Sequence, residues 1–117
     1  MLILVLNDEK KVDEVLLSLS QVGVRGATVI DSVGMGGILG VRLPFFSKID
    51  EYIRIQKPDN KTIFTVIDDD RVLKQAVFTI KNKLQIEKPG TGIMFVLPVL
   101  EAYGTAEILN EEDEGYE

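Results

Sequence analysis

The sequence predicts an α+β sandwich, a four-stranded antiparallel sheet with two helices on one face. Three observations predict it. Apolar runs of strand length alternate with amphipathic stretches of helix length, in the order strand, helix, strand, twice over. The two helix starts match each other, Leu6-Asn7-Asp8-Glu9-Lys10 beside Ile67-Asp68-Asp69-Asp70-Arg71. A glycine turn punctuates each half, at Gly34-Met35-Gly36 and at Gly90-Thr91-Gly92. At 117 residues the chain reads as one domain. A domain of this size buries a core without disulfides or a structural metal.

Each element has its own cause. Leu2 to Leu6 is uniformly apolar, as a strand covered on both faces would be. Asn7 or Asp8 can cap the following helix, and Asp8 and Glu9 suit its positive end. Val12, Val15, Leu16, Leu19 and Val22 then form one apolar stripe. Gly23 stands just past its end, where a left-handed residue stops a helix. Gly26 to Val33 reads as the second strand, centred on Val29 and Ile30.

The second half repeats the plan. Lys61 to Asp68 is a strand around Ile63, Phe64, Val66 and Ile67. Asp68-Asp69-Asp70 supplies a cap and dipole charges for a helix with the stripe Val72, Leu73, Ala76, Val77, Ile80 and Leu84. Pro89-Gly90 breaks the chain, and Ile93 to Leu97 is the fourth strand, stopped by Pro98. Two split β-α-β units in this order predict the ferredoxin-like βαβ-loop-βαβ sandwich. The far face of such a sheet is open, and an open apolar sheet face marks an oligomer contact.

Composition excludes several kinds of function. With no cysteine and no histidine, the usual zinc sites, thiol catalysis and imidazole triads are ruled out. The Asp68 to Asp70 run reads as capping rather than acid–base chemistry, so no enzyme is expected. No apolar run approaches the ~20 residues of a membrane span. Met1 to Leu6 lacks a basic head and runs into Asn7-Asp8-Glu9, which reads as a cytoplasmic protein with no membrane insertion.

The net charge of −6 is local in origin. Five of the 19 acidic residues, Glu111, Glu112, Asp113, Glu114 and Glu117, lie in the last eight positions. The remaining 14 nearly balance the 13 basic residues. No basic stripe suits nucleic acid. The domain is expected over residues 1–109, and residues 110–117 read as an acidic disordered tail.

Between the halves, Ile38 to Asn60 is too long for a simple connection. Phe45, Phe46, Ile49, Tyr52 and Ile53 fall at helical spacing within it, and Ser47 with Asp50 resembles a capping box. A short helix is expected from about Ser47 to Ile55. It reads either as a satellite helix or as a partner-binding loop element.

Several local patterns coincide. Gly26-Ala27-Thr28-Val29 leads into the second strand, Gly34-Met35-Gly36 closes it, and Gly90-Thr91-Gly92 precedes a strand reading Phe95-Val96-Leu97-Pro98-Val99. In this order and spacing, over about residues 1–101, the chain resembles the PII (nitrogen regulatory P-II) signal-transduction family. The resemblance implies a homotrimer of ferredoxin-like subunits with ATP or ADP in clefts between subunits. It also implies a response to small metabolites and a long loop offered to a transporter, enzyme or regulator. The positions matching the family's nucleotide contacts are Thr28, Gly34, Met35, Gly36 and Gly37 on one side and Gly90, Thr91 and Gly92 on the other. Glycines there let backbone approach a ligand, and consecutive N–H groups form an anion nest. Taken alone, the same glycines need only make tight turns.

The departures bear on the ligand. Where the family has a cation after the first glycine turn, this chain has Gly37-Ile38. Its lysine after the second turn is Ile93 here, the aspartate between the second glycines is Thr91, and two later arginines align with Gly104 and Ala106. A charge-assisted hydrogen bond contributes ~1.5–3 kcal/mol, so losing several removes roughly 5–10 kcal/mol. Micromolar binding is only ~8 kcal/mol in total. Tight ATP binding is therefore not expected unless Arg25, Arg42 or Lys88 compensates. The cofactor stays open between an adenine nucleotide with fewer phosphates, another small molecule, and none. The functional expectation is a regulatory trimer with a diverged effector site. The alternatives are a pure protein-interaction module that has lost the nucleotide site, and a trimer of the related CutA type limited to carboxylate metal ligands.

Overall fold

The computed structural model of the chain describes residues 1–35 and 60–104. Among these, the strands and α-helices run in the order β1 (Leu2–Leu6), α1 (Val12–Gln21), β2 (Thr28–Ser32), β3 (Asn60–Thr65), α2 (Asp70–Leu84) and β4 (Gly92–Val96). The strands form one sheet in the order β2-β3-β1-β4. Every neighbouring pair is antiparallel. This is the ferredoxin-like arrangement, with each β-α-β unit split by a strand of the other half.

The register assigns the side chains to two faces. Leu4 lies opposite Ile63 on one side and Met94 on the other. Leu2, Leu4, Leu6 and Ile63 are buried with Val15 and Leu19 of α1 and Ala76, Ile80 and Leu84 of α2. Both helices therefore cover this face, and each contributes the stripe that its apolar spacing predicts. The opposite face carries two cross-strand rows that run the full width of the sheet. One is Thr28, Phe64, Ile3 and Phe95; the other is Ile30, Thr62, Val5 and Ile93. Ile30 is 48% exposed and Ile93 is 56% exposed. Among the described residues, this face is largely apolar, exposed on the two outer strands and half-buried on the two inner ones.

Caps fix the helix ends. Asp8, not Asn7, caps the first helical segment, a 3₁₀ turn at Glu9–Lys11, its Oδ1 accepting from the Lys10 N–H at 3.0 Å. Gly23, at φ +106°, follows the end of α1 as expected. Asp69 caps α2, accepting from the Arg71 and Val72 N–H groups at 2.8 and 3.4 Å. Gln85 ends α2 in the left-handed region at φ 50°.

Three strands differ from expectation in their boundaries, each for a pairing reason. β3 begins at Asn60 and stops at Thr65 rather than running on to Asp68, because Thr65 pairs with Leu2, the first residue of β1. β2 spans Thr28–Ser32 rather than Gly26 to Val33; the Gly26 carbonyl instead accepts the Thr65 hydroxyl. β4 starts one residue early because Gly92 pairs with Leu6. The expected loop helix at 47–55, the loop residues Phe45, Phe46, Ile49, Tyr52 and Ile53, the turn residues Gly36 and Gly37, and the acidic tail lie outside the described residues.

Ser18 is buried inside α1, and its Oγ has no hydrogen-bond partner among the described residues. An unpaired buried hydroxyl is costly, and alanine is the better helix former. Ser18→Ala is expected to stabilise the protein by about 1 kcal/mol, read as a higher denaturant midpoint at unchanged slope.

Candidate functional site

The register sorts the predicted site residues onto two ends of the sheet. Ser32 pairs with Asn60 at one end, where Leu6 also meets Lys61 and Gly92. Gly34 and Met35 follow β2 at that end, and Gly90 and Thr91 precede β4 at the same end. Thr28 pairs with Phe64 toward the opposite end. It also lies on edge strand β2, while Gly92 lies on the other edge strand. The two edges are three strand spacings apart, or about 14 Å.

The base of the segment after β2 is held from both faces. Ser32 Oγ donates to Asn60 Oδ1 and lies 2.8 Å from Thr62 Oγ1, which donates to it in turn. Gly34 sits against this cluster; a Cβ there would lie 3.3 Å from Asn60 Nδ2. On the helix-covered face, Lys61 Nζ donates to Asp31. That hydrogen bond to a carboxylate raises the lysine's pKa above its ordinary value. The stability tied to this shift is present at neutral pH and is lost as pH rises through the raised lysine pKa. Met35 is 76% exposed.

The second turn is tied to the end of β1. The Asn7 N–H donates to the Thr91 carbonyl at 3.1 Å, and Asn7 Nδ2 donates to the Gly90 carbonyl at 2.9 Å. The two glycines of this turn have different reasons to be there. Gly90 has φ +86°, and a Cβ on it would meet nothing within 4 Å, so only its backbone conformation calls for glycine. Gly92, at φ +147°, would place a Cβ 2.0 Å from the Val5 carbonyl oxygen. Its glycine follows from strand packing as well as from its backbone conformation.

Two clefts open at these ends. One of about 580 Å³ is bounded by Gly26, Thr28, Phe64, Asp68, Val72 and Tyr103. The other, about 460 Å³, runs along Lys11, Lys83, Lys88, Gly90 and Thr91. Thr28 thus belongs to the first cleft and Gly90 and Thr91 to the second; Gly34 and Met35 line neither. Among the described residues, one copy brings Gly34, Met35, Gly90 and Thr91 to one end of the sheet and leaves Thr28 at the other. Sequence reasoning missed Phe64, Tyr103 and Asn7. Phe64 is legible only once its register opposite Thr28 is known. Asn7 reads as a cap, and only its approach to Gly90 reveals the turn it holds.

Comparison with known proteins accords with this geometry. The family model described as nitrogen regulatory protein P-II matches residues 1–106. The nitrogen fixation nifHD region GlnB-like protein 1 of Methanothermococcus thermolithotrophicus is 32% identical over 93 residues, which covers 80% of this chain and 81% of that protein. The fold, the order of the turns and these matches agree: the chain belongs to the nitrogen regulatory P-II family.

Proposed function

We propose that this P-II-family regulatory protein works as a cytoplasmic homotrimer. It takes a small effector between neighbouring copies and offers the segment 38–60 to a protein target. The observation that carries the reading is the separation of the predicted contacts. Thr28 sits toward one end of the sheet on one edge, and Gly90 to Gly92 sit at the other end beside the opposite edge. A single ligand meets both groups only between two copies. The bare rows of Ile30, Ile93 and Phe95 support self-association, because an apolar sheet face of this kind calls for a cover.

The effector class is an adenine nucleotide with few phosphates. Ile93 and Gly104 stand where the family's cations would hold a triphosphate. Calorimetric titration with ATP, ADP, AMP and cyclic adenine nucleotides is expected to give heat with the species of fewer phosphates and little with ATP. Sedimentation is expected to give a trimer. Absence of heat with every adenine nucleotide would remove the nucleotide part of the reading, and a monomer would remove the site between copies.

A further inference from the structure

We infer that each copy carries an anion site of its own, in the cleft between the start of α1 and the end of α2, and that its ligand is a small, multiply charged phosphate compound. The cleft, about 460 Å³, is lined by Lys11, Lys83 and Lys88 beside the Gly90–Thr91 turn. That volume lies within the range of small-molecule sites.

The charge there is unbalanced. Asp8 is the single carboxylate in the lining. Its Oδ1 is already engaged by the Lys10 N–H. Among the described residues the ion pairs are Lys61 with Asp31 and Lys81 with Glu87, and neither uses the three cleft lysines. Leu6, Leu84 and Pro89 add apolar surface to the lining, and low-dielectric walls focus a field of one sign.

Ordinary helix electrostatics accounts for one of the three cations. Lys83 lies in the last turn of α2, where a positive charge suits the dipole. Lys11 closes the 3₁₀ turn and is the N-cap residue of α1, where a cation gains nothing from the α1 dipole. Lys88 lies beyond α2 altogether. Three point charges from three separate segments suit a phosphate group with a charge near −2 better than a monocarboxylate. All three belong to one copy, so the inference does not depend on the nucleotide reading.

The test is an amide NMR titration of the ¹⁵N-labelled full chain with pyrophosphate, with sodium chloride at matched ionic strength and succinate as separate arms. Saturable shifts are expected at Lys11, Lys83 and Thr91, with Thr28 unmoved. Lys83→Gln and Lys88→Gln are each expected to weaken binding about three- to five-fold, the effect of one partly exposed charge. The amide spectrum of each variant reports its folding directly. Equal shifts with chloride, or binding indifferent to both substitutions, would overturn the site. Equally tight saturation by succinate would overturn its assignment to phosphate. Pyrophosphate has no base, so failure of the adenine nucleotides in calorimetry leaves this result standing.

Discussion

Gly92→Ala is expected to destabilise the protein by at least ~3 kcal/mol, the strained backbone and the collision adding together. A Cβ at this position would lie 2.0 Å from the Val5 carbonyl oxygen, 3.1 Å from the Val5 carbonyl carbon and 3.3 Å from the Leu6 Cα. All three are backbone atoms of β1, the strand that holds the centre of the sheet with β3. No rotamer change relieves such a contact; the β1–β4 pairing itself must shift. The φ of +147° adds a conformation that side-chain-bearing residues rarely adopt. Gly90→Ala is the control. Its φ is +86° with open space around it, so it is expected to cost only about 1 kcal/mol. Denaturant midpoints for both variants at one protein concentration measure the difference. Equal losses would show that the approach to Val5 is not what holds Gly92 in place.

Leu4→Ala is expected to cost about 3 kcal/mol, within the range for emptying a buried leucine site. Leu4 is 1% exposed and sits between Ile63 and Met94 beneath the helices. Neighbours on two strands and the helices above hold the space open, so collapse is limited. Phe95→Ala removes more atoms from the opposite face, where the side chain is 39% exposed in a single copy. At protein concentrations low enough to separate the copies, it is expected to cost well under half as much. The same comparison at high concentration reads self-association: a cost for Phe95→Ala that grows with concentration is the outcome the trimer requires.

Much of this fold was legible from apolar spacing. The Leu2, Leu4 and Leu6 positions, the Val15–Leu19 stripe and the Ala76–Ile80–Leu84 stripe all enter the core. Spacing says which side chains are buried, but strand ends are set by the partner. Val66 and Ile67 are as strand-like as Ile63, yet β1 has no residue left to pair with them. The end of α2 carries no glycine; Gln85 takes the left-handed position without the usual signal. Ser18 falls beside a core position of α1, and nothing in its spacing marks the hydroxyl as unpaired.

The candidate site was legible as a set of glycines and less so as an arrangement. Similar-looking turns have unlike causes: Gly92 answers to a neighbouring carbonyl, Gly90 to its own dihedral angle. The separation of Thr28 from the second turn follows from strand order, which is a property of the whole chain. The lysines of the second cleft are scattered over the sequence at 11, 83 and 88, and only the meeting of α1's start with α2's end collects them.

The strand order has a consequence for how the chain comes together in time. β1 is made first, yet its partners lie roughly sixty and ninety residues downstream, so its pairings carry the loop-closure cost of distant contacts. During synthesis the first strand waits until nearly the whole domain has emerged. A chain stopped before Gly92 would leave one side of β1 without its ladder, with Ile3 and Val5 beside an unpaired backbone. Such an edge invites pairing with other chains. The last strand thus closes the very edge that the first strand opens, and the nascent domain is most prone to aggregate until Gly92–Val96 has paired with β1.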